Sequence, residues 1–324
     1  MNFVERMLAG DQRALARLMS QVERDGPQVP DIMARITPAL GKAYCVGITG
    51  PPGAGKSTIT DKLTEQARRH GKTVGIVAVD PTSPFSGGAV LGDRIRMQQH
   101  YLDQGVFIRS MATRGSHGGL PRMAKGVVKL LDAFGKDVIL IETVGVGQTE
   151  LDIVQTADTT VVILVPESGD AIQTMKAGLM EIADVFVVNK ADRDGADRTV
   201  AELCMLVHMH PQSEGWEVPV VATQAHKNSG IEALYDTIAT HKQALERTGQ
   251  LAIRRGQHRR QELLELLQHR LLHKVLDQLE HQDDLQGLVE QVQEGSVDPY
   301  TATQQILQER TSYGTHRASS ASDS

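Results

Sequence analysis

Aromatic side chains are scarce in this chain: one Trp, five Tyr and five Phe among 324 residues. Hydrophobic residues still make up 40% of it, so a core has to be built mostly from aliphatic side chains. Cysteine is scarcer, with Cys45 and Cys204 the only two. That excludes a disulfide framework and fits a reducing compartment, so a cytoplasmic protein is expected. Cys45 falls inside an apolar run and reads as a small buried hydrophobe. Positive charge is not in excess either. A formal net charge of −6 leaves no basic stripe to neutralise a phosphate backbone, which argues against nucleic acid as the main partner. No apolar run approaches the length of a transmembrane helix, so no membrane is expected. The first residues lack the apolar stretch of a secretory signal, and acidic Glu5 and Asp11 are unlike an organelle-targeting leader.

What is present is concentrated between Tyr44 and Thr58, YCVGITGPPGAGKST. The apolar run Tyr44 to Ile48 predicts a buried strand. It feeds into Gly50, Pro51, Pro52, Gly53, Ala54, Gly55, Lys56 and Ser57, a full match to G-x-x-x-x-G-K-[ST], with Thr58 following. The glycines allow backbone N–H groups to turn inward around phosphate oxygens. Lys56 is placed to reach the β- and γ-phosphates and the Ser57 hydroxyl to ligate Mg²⁺. The helix starting near Lys56 adds its positive end.

Around this loop the chain reads as α/β, a P-loop NTPase with a mostly parallel sheet flanked by helices. An N-terminal helical extension covers 1–42, with Asp11 a plausible N-cap, and the nucleotide domain covers 43–248. Strands are expected at Val74–Val79, Val106–Arg109, Asp137–Ile141, Thr159–Val165, Val185–Val188 and Val218–Ala222. Helices are expected at 57–70, 91–104, 120–134 and 231–246. Asp80 closes the second strand before a Pro/Gly-rich loop, at the sheet edge where ligands bind in α/β folds, and is the first carboxylate to place near a metal. Asp93 is either an acid in the first turn of a helix or a Mg²⁺- or water-positioning group. Glu142 closes the DVILI strand, with Gly145 three residues on, the layout of a γ-phosphate-sensing loop. Glu142 either holds Mg²⁺ through water or orients the attacking water.

The second strong signal is Asn189-Lys190-Ala191-Asp192 at the end of a buried strand. The Asp192 carboxylate can accept both N1–H and the exocyclic amine of guanine, whereas adenine would leave it unpaired. Asn189 ties the loop and Lys190 packs its stem over the base. Ala222, Thr223 and Gln224 stand where a backbone N–H would meet guanine O6. From Leu251 the composition shifts. Leu264, Leu267, Leu271, Val275 and Leu279 form an apolar stripe at helical spacing, backed by Leu263, Leu272 and Leu276. Residues 249–310 are read as a dimerisation arm in preference to a helical cap, and the Ser-rich 311–324 as a disordered tail. His208 and His210 have no matching Cys/His cluster and read as surface or packing residues.

Taken together, GPPGAGKST, VAVDPTSPFSGGAVLGDRIRM, FIRSMATRGSHGGL, ETVGVGQTE and VVNKAD closely resemble the MeaB/ArgK family of P-loop GTPases, which includes the mitochondrial methylmalonic aciduria type A protein. The resemblance covers about residues 1–310. It implies GTP/GDP and Mg²⁺ as ligands, a homodimer formed through the C-terminal arm, and a slow GTPase stimulated by its partner. The implied role is a chaperone that gates adenosylcobalamin loading and protects an acyl-CoA mutase, methylmalonyl-CoA mutase or isobutyryl-CoA mutase. It assigns Lys56 and Ser57 to phosphate and Mg²⁺, Asp80 and Asp93 to a first switch, and Glu142 to a second. Gln173 and Lys176 fall in a third, partner-responsive loop, and Asn189, Lys190 and Asp192 in the guanine site. The alternatives are a metallochaperone GTPase of the hydrogenase or urease maturation class and a nucleotide-binding dimeric scaffold. The first needs Cys or His ligands for metal transfer, and the chain contains neither C-x-x-C nor C-P-[CH].

Overall fold

The computed structural model describes residues 2–80, 97–112, 122–143, 153–166, 179–209, 215–281 and 283–306. Its contacts divide the chain into two units, 1–258 and 259–324. Among its described residues the first unit contains seven strands, β1 (Tyr44–Thr49), β2 (Val74–Asp80), β3 (Val106–Ala112), β4 (Val138–Glu142), β5 (Thr159–Leu164), β6 (Val185–Asn189) and β7 (Val220–Thr223). They form one sheet in the order β3-β2-β4-β1-β5-β6-β7, and every pairing is parallel. The expected α/β class is therefore the observed one. The central strands are largely aliphatic runs because both of their faces are covered, as parallel sheets require, whereas the edge strands β3 and β7 are only partly buried. The side chains of β5 are buried along its whole length.

Two cores lie on the sheet. One is built by α1 (Phe3–Leu8), α2 (Gln12–Glu23), α3 (Val29–Ile36) and α5 (Arg122–Ala133), the other chiefly by α4 (Lys56–Arg69) and α8 (Ile231–Thr248). Asp11 does cap α2, its Oδ1 accepting from the N–H groups of Arg13 and Ala14 at 2.8 and 3.1 Å. The buried row Leu15, Leu18, Met19 and Val22 gives α2 an apolar stripe, each such side chain contributing about 1.5–3 kcal/mol on burial. Val22 reaches α5 closely because position 126 is glycine: a Cβ there would sit 2.6 Å from Val22 Cγ1. Arg109 of β3 clamps the end of α2 through two 2.6 Å contacts to the Glu23 carboxylate. The N-terminal helices are thus fastened to the sheet by both packing and charge.

A smaller cluster on β5 and β6 includes α6 (Leu179–Ile182) and α7 (Ala196–Met209). Helix α7 is absent from the sequence expectations. Its buried positions, Ala196, Thr199, Leu203 and Val207, follow helical spacing, but exposed Met205 and Met209 blur the stripe. The helix expected over 91–104 differs too: within its described part, Gln98–His100 is a single 3₁₀ turn. The second unit contains most of α9 (Gln250–His281), then α10 (Asp283–Gln293) and α11 (299–306). The tail 311–324 lies outside the described residues.

The base of the sheet is locked by the start of α9. Arg255 pairs with the nearly fully buried Asp158 through Nε and Nη2 at 2.8 and 2.6 Å, and donates to the carbonyls of Gly41 and Ala43 at 2.9 and 2.7 Å. Asp158 also accepts from the Cys45 N–H at 2.9 Å. Beside it Arg254 forks onto Asp184 at 2.9 and 3.1 Å. Truncating one member of such a pair strands a buried charge, a loss of roughly 3–5 kcal/mol. Arg255→Ala is expected to lower the urea unfolding free energy by about that much. Arg255→Lys should recover only part of it, because an ammonium cannot reproduce the guanidinium fork.

Candidate nucleotide site

The chain order β1, then β2 and β3 to one side, then β4 back beside β1 and β5 on its other flank makes the carboxyl end of β1 the topological switch point of the sheet. Ligand crevices open at such points. The loop 50–55 leaves β1 here. Gly50, Gly53 and Gly55 all take positive φ, at 139°, 76° and 91°. At Gly55 a side chain is excluded by space as well, since a Cβ would lie 2.3 Å from Asn189 Nδ2. The loop ends at the first turn of α4, where Lys56 and Ser57 are buried. Lys56 Nζ donates to the carbonyls of Gly50 and Pro51 at 2.9 and 3.0 Å, so the ammonium lies across the mouth of the loop.

Register brings the acid to the same place. Ile48 pairs with Glu142, so the end of β4 stands beside the end of β1. Ser57 Oγ donates to Glu142 Oε1 at 2.6 Å, and Thr60 Oγ1 lies 3.2 Å from Glu142 Oε2 and 3.0 Å from the Lys56 carbonyl. Behind them Thr143 Oγ1 donates to Thr49 Oγ1 at 2.9 Å, joining the first residue after β4 to the last of β1. A buried hydroxyl and a buried carboxylate are the oxygen donors that Mg²⁺ takes, so this set fits the cation. Asp80 ends β2, two residues beyond the Ala78 that pairs with Glu142, which puts its backbone at the same sheet edge. Asp93, Gly145, Gln173 and Lys176 lie outside the described residues.

The second loop of the site follows β6 and is tied directly to the first. Asn189 is buried, its Nδ2 donating to the Ala54 carbonyl at 2.8 Å. Its Oδ1 accepts from Thr223 Oγ1 at 3.0 Å and from the Ala225 N–H at 3.2 Å. One amide thus joins three loops. The Ala191 N–H donates to the Thr223 carbonyl at 3.0 Å, bringing Ala222, Thr223 and Gln224 beside the tetrapeptide. Lys190 sits in the left-handed region at φ 58°, a backbone conformation uncommon for a side chain of that size. Asp192 is partly exposed, with His226 Nε2 and Lys227 Nζ at 3.8 and 3.9 Å from its Oδ2.

Sequence reasoning passes over Thr60, the Thr49–Thr143 pair, His226 and Lys227. Thr60 stands four residues after Lys56, hence on the same helix face, which is a usable signal; the other positions carry none. It also passes over a polar cluster on the next turn of α4. Asp61 there accepts two 2.8 Å contacts from Gln99 Nε2 and lies 3.0 Å from His100 Nε2. Burial works to raise the Asp61 pKa, but these partners outweigh it and hold the carboxyl below its ordinary value.

The profile of the family described as methylmalonyl Co-A mutase-associated GTPase MeaB matches residues 15–280. The chain belongs to the MeaB family of GTPases. It is 51% identical over 309 residues to a putative GTPase of Pyrococcus abyssi, covering 94% of this chain and 95% of that one. The mouse protein described as a methylmalonic aciduria type A homolog, mitochondrial, is 33% identical over 268 residues, 82% of this chain and 65% of its own length. Among solved structures, a LAO/AO transport system kinase superposes with a TM-score of 0.69 at 27% identity, covering 95% of this chain and 96% of that one. Membership of the MeaB family makes the phosphate-loop fold and a GTPase activity the shared ground for the geometry above.

The triple anchoring by Asn189 yields a direct test. Asn189→Ala removes the bond to Ala54 and leaves two buried donors short of an acceptor, each costing about 1–3 kcal/mol. Guanine-nucleotide affinity, read by fluorescence titration, is expected to fall at least tenfold, with a lowered melting temperature.

Proposed function

We propose that this chain is a GTP-hydrolysing chaperone that gates adenosylcobalamin loading and protects a cobalamin-dependent acyl-CoA mutase, with methylmalonyl-CoA mutase the first client to test. The observation that carries the nucleotide half is the buried Ser57–Glu142 contact beside the Lys56 ammonium, joined through Asn189 to the base-reading loop. The client half is supported by the family's description as mutase-associated and by the mouse relative's description.

In this reading the backbone N–H groups of Gly50, Gly53, Ala54 and Gly55 and the Lys56 ammonium would hold the phosphates, and Ser57 and Glu142 would hold Mg²⁺, with Asp80 and Asp93 assigned to the same cation. When bound, Mg²⁺ supplies positive charge to the β- and γ-phosphates. Water attacks the γ-phosphorus and the bond to the bridging oxygen breaks, giving GDP and phosphate. Lys56 stabilises the charge that builds on the departing oxygens. One of Glu142, Asp80 and Asp93 orients the water. Asp192 reads the guanine edge, Lys190 covers the base, and Gly145, Gln173 and Lys176 belong to loops that respond to the γ-phosphate and to the mutase. Turnover is slow alone because the partner completes the site.

The same reading makes the protein a homodimer. On α9, Leu263, Leu264, Leu267, Leu271, Leu272 and Leu276 are each at least 40% exposed, a larger run of leucine than a monomeric surface ordinarily leaves to water. A second copy would cover it. The compartment assigned is the cytoplasm. Cys45 and Cys204 are both free thiols, and no helix among the described residues is long and apolar enough to cross a membrane.

Two measurements test this. GTP turnover should rise several-fold on adding a purified adenosylcobalamin-dependent acyl-CoA mutase from the same source, and Lys56→Ala should abolish it. No stimulation by any such mutase, with nucleotide still bound, would favour a different client or a scaffold. Asp192→Asn should switch preference from GTP towards xanthosine triphosphate by at least tenfold, because the amide offers a donor where the carboxylate accepted. Unchanged competition between the two nucleotides would overturn the guanine assignment.

A further inference from the structure

The helix α9 carries a row of metal-ligating residue types that nucleotide chemistry does not use. Glu265, His269, His273 and Asp277 recur every four residues and so lie along one ridge of the helix. Within that row the two imidazoles converge. Their ring centroids are 4.2 Å apart, and His269 Nε2 lies 3.0 Å from His273 Nε2. Histidines four apart on one helix face are a recurrent way to present two nitrogens to a single ion.

The separation decides which ions fit. With metal–nitrogen bonds of about 2.0–2.1 Å, two nitrogens this far apart subtend about 90° at the metal. That is the cis angle of square-planar, tetragonal and octahedral sites, the geometries of Cu²⁺ and Ni²⁺, and it is narrower than the ~109° that tetrahedral Zn²⁺ prefers. In sequence the pair is flanked by an acidic residue on either side. Glu265 stands one turn before His269, its Oε1 accepting from Gln261 Nε2 at 3.2 Å, and Asp277 holds the corresponding position after His273. Among the described residues no group of three or more His, Cys, Asp or Glu is placed to hold a metal, so the chain provides two nitrogen ligands and leaves the other positions to water.

At 100° per residue the row lies roughly opposite the stripe of Leu264, Leu267, Leu271 and Val275. Leu272 and Leu276, three residues after His269 and His273, stand beside the pair; His273 is exposed and His269 partly buried. We propose that His269 and His273 form a bidentate site for a late first-row divalent metal, Cu²⁺ or Ni²⁺ in preference to Zn²⁺, that clips one turn of α9. An ion that binds the two rings only when the turn is helical stabilises that turn by mass action.

The test is titration of the full chain, free of nucleotide, with Cu²⁺, Ni²⁺ and Zn²⁺ by calorimetry, together with electron paramagnetic resonance of the Cu²⁺ form. One site per chain is expected, with affinity in the order Cu²⁺, Ni²⁺, Zn²⁺ and a hyperfine pattern from two nitrogens. His269→Gln and His273→Gln should each weaken binding at least tenfold while GTP turnover and helix content stay at the unsubstituted level, glutamine being a good helix former. Binding that survives the double substitution would overturn the proposal. So would Zn²⁺ binding tighter than both other ions, or a Cu²⁺ spectrum of the unsubstituted chain with fewer than two nitrogens, a readout that depends on no variant.

Discussion

The register of β1 on β4 is the constraint from which the site follows. Ile48 opposite Glu142 ends the two strands side by side, and Ser57, one short loop later, then meets the Glu142 carboxylate at 2.6 Å. A slip of one residue would turn Glu142 to the other face of the sheet, because strand side chains alternate. The register is held from below as well as from within. The Tyr44 N–H donates to the Asp137 carbonyl at 2.9 Å, and the Asp132 carboxylate accepts the N–H groups of Lys42 and Ala43 at 3.0 and 2.8 Å. The chemistry at one end of β1 therefore depends on hydrogen bonds at the other.

The polar groups of the site are mostly buried, and burial is why so many of them touch one another. Lys56 rests on two loop carbonyls, Glu142 on Ser57 and Thr60, and Asn189 on groups of two other loops. Each contact offsets the cost of removing a polar atom from water. The same contacts preorganise the loops, so less ordering is left for a nucleotide to impose. The part of the site around Asp192 is looser. Asp192 remains partly exposed, and its neighbours His226 and Lys227 stand at 3.8 and 3.9 Å, distances at which screening leaves little energy.

The two units use their residues differently. In 1–258 the apolar side chains are consumed by the two faces of the sheet, and buried charged groups are matched by opposite charge, as at Arg255–Asp158, or by neutral hydrogen-bonding groups, as at Lys56 and Glu142. In the second unit the leucines of α9 are exposed, and a separate ridge carries histidines and acids.

Much of this was legible in the chain. The spacing of Gly50 to Ser57, the acid after DVILI and the NKAD tetrapeptide each carry their chemistry within a few consecutive residues, and apolar runs locate the described strands, most clearly the central ones, where burial on both faces leaves no alternation to confuse. What local sequence could not decide is anything that depends on which strands are neighbours. That Thr60 lies beside Glu142, that Thr49 and Thr143 share a hydrogen bond, and that Asn189 holds Ala54 across 135 residues are consequences of the strand order. Helix α7 stayed hidden because two exposed methionines break its stripe, and the turn at Gln98–His100 because its partner, Asp61, belongs to another element. Periodicity records which face of a segment meets water; only the assembled sheet determines which two segments meet each other.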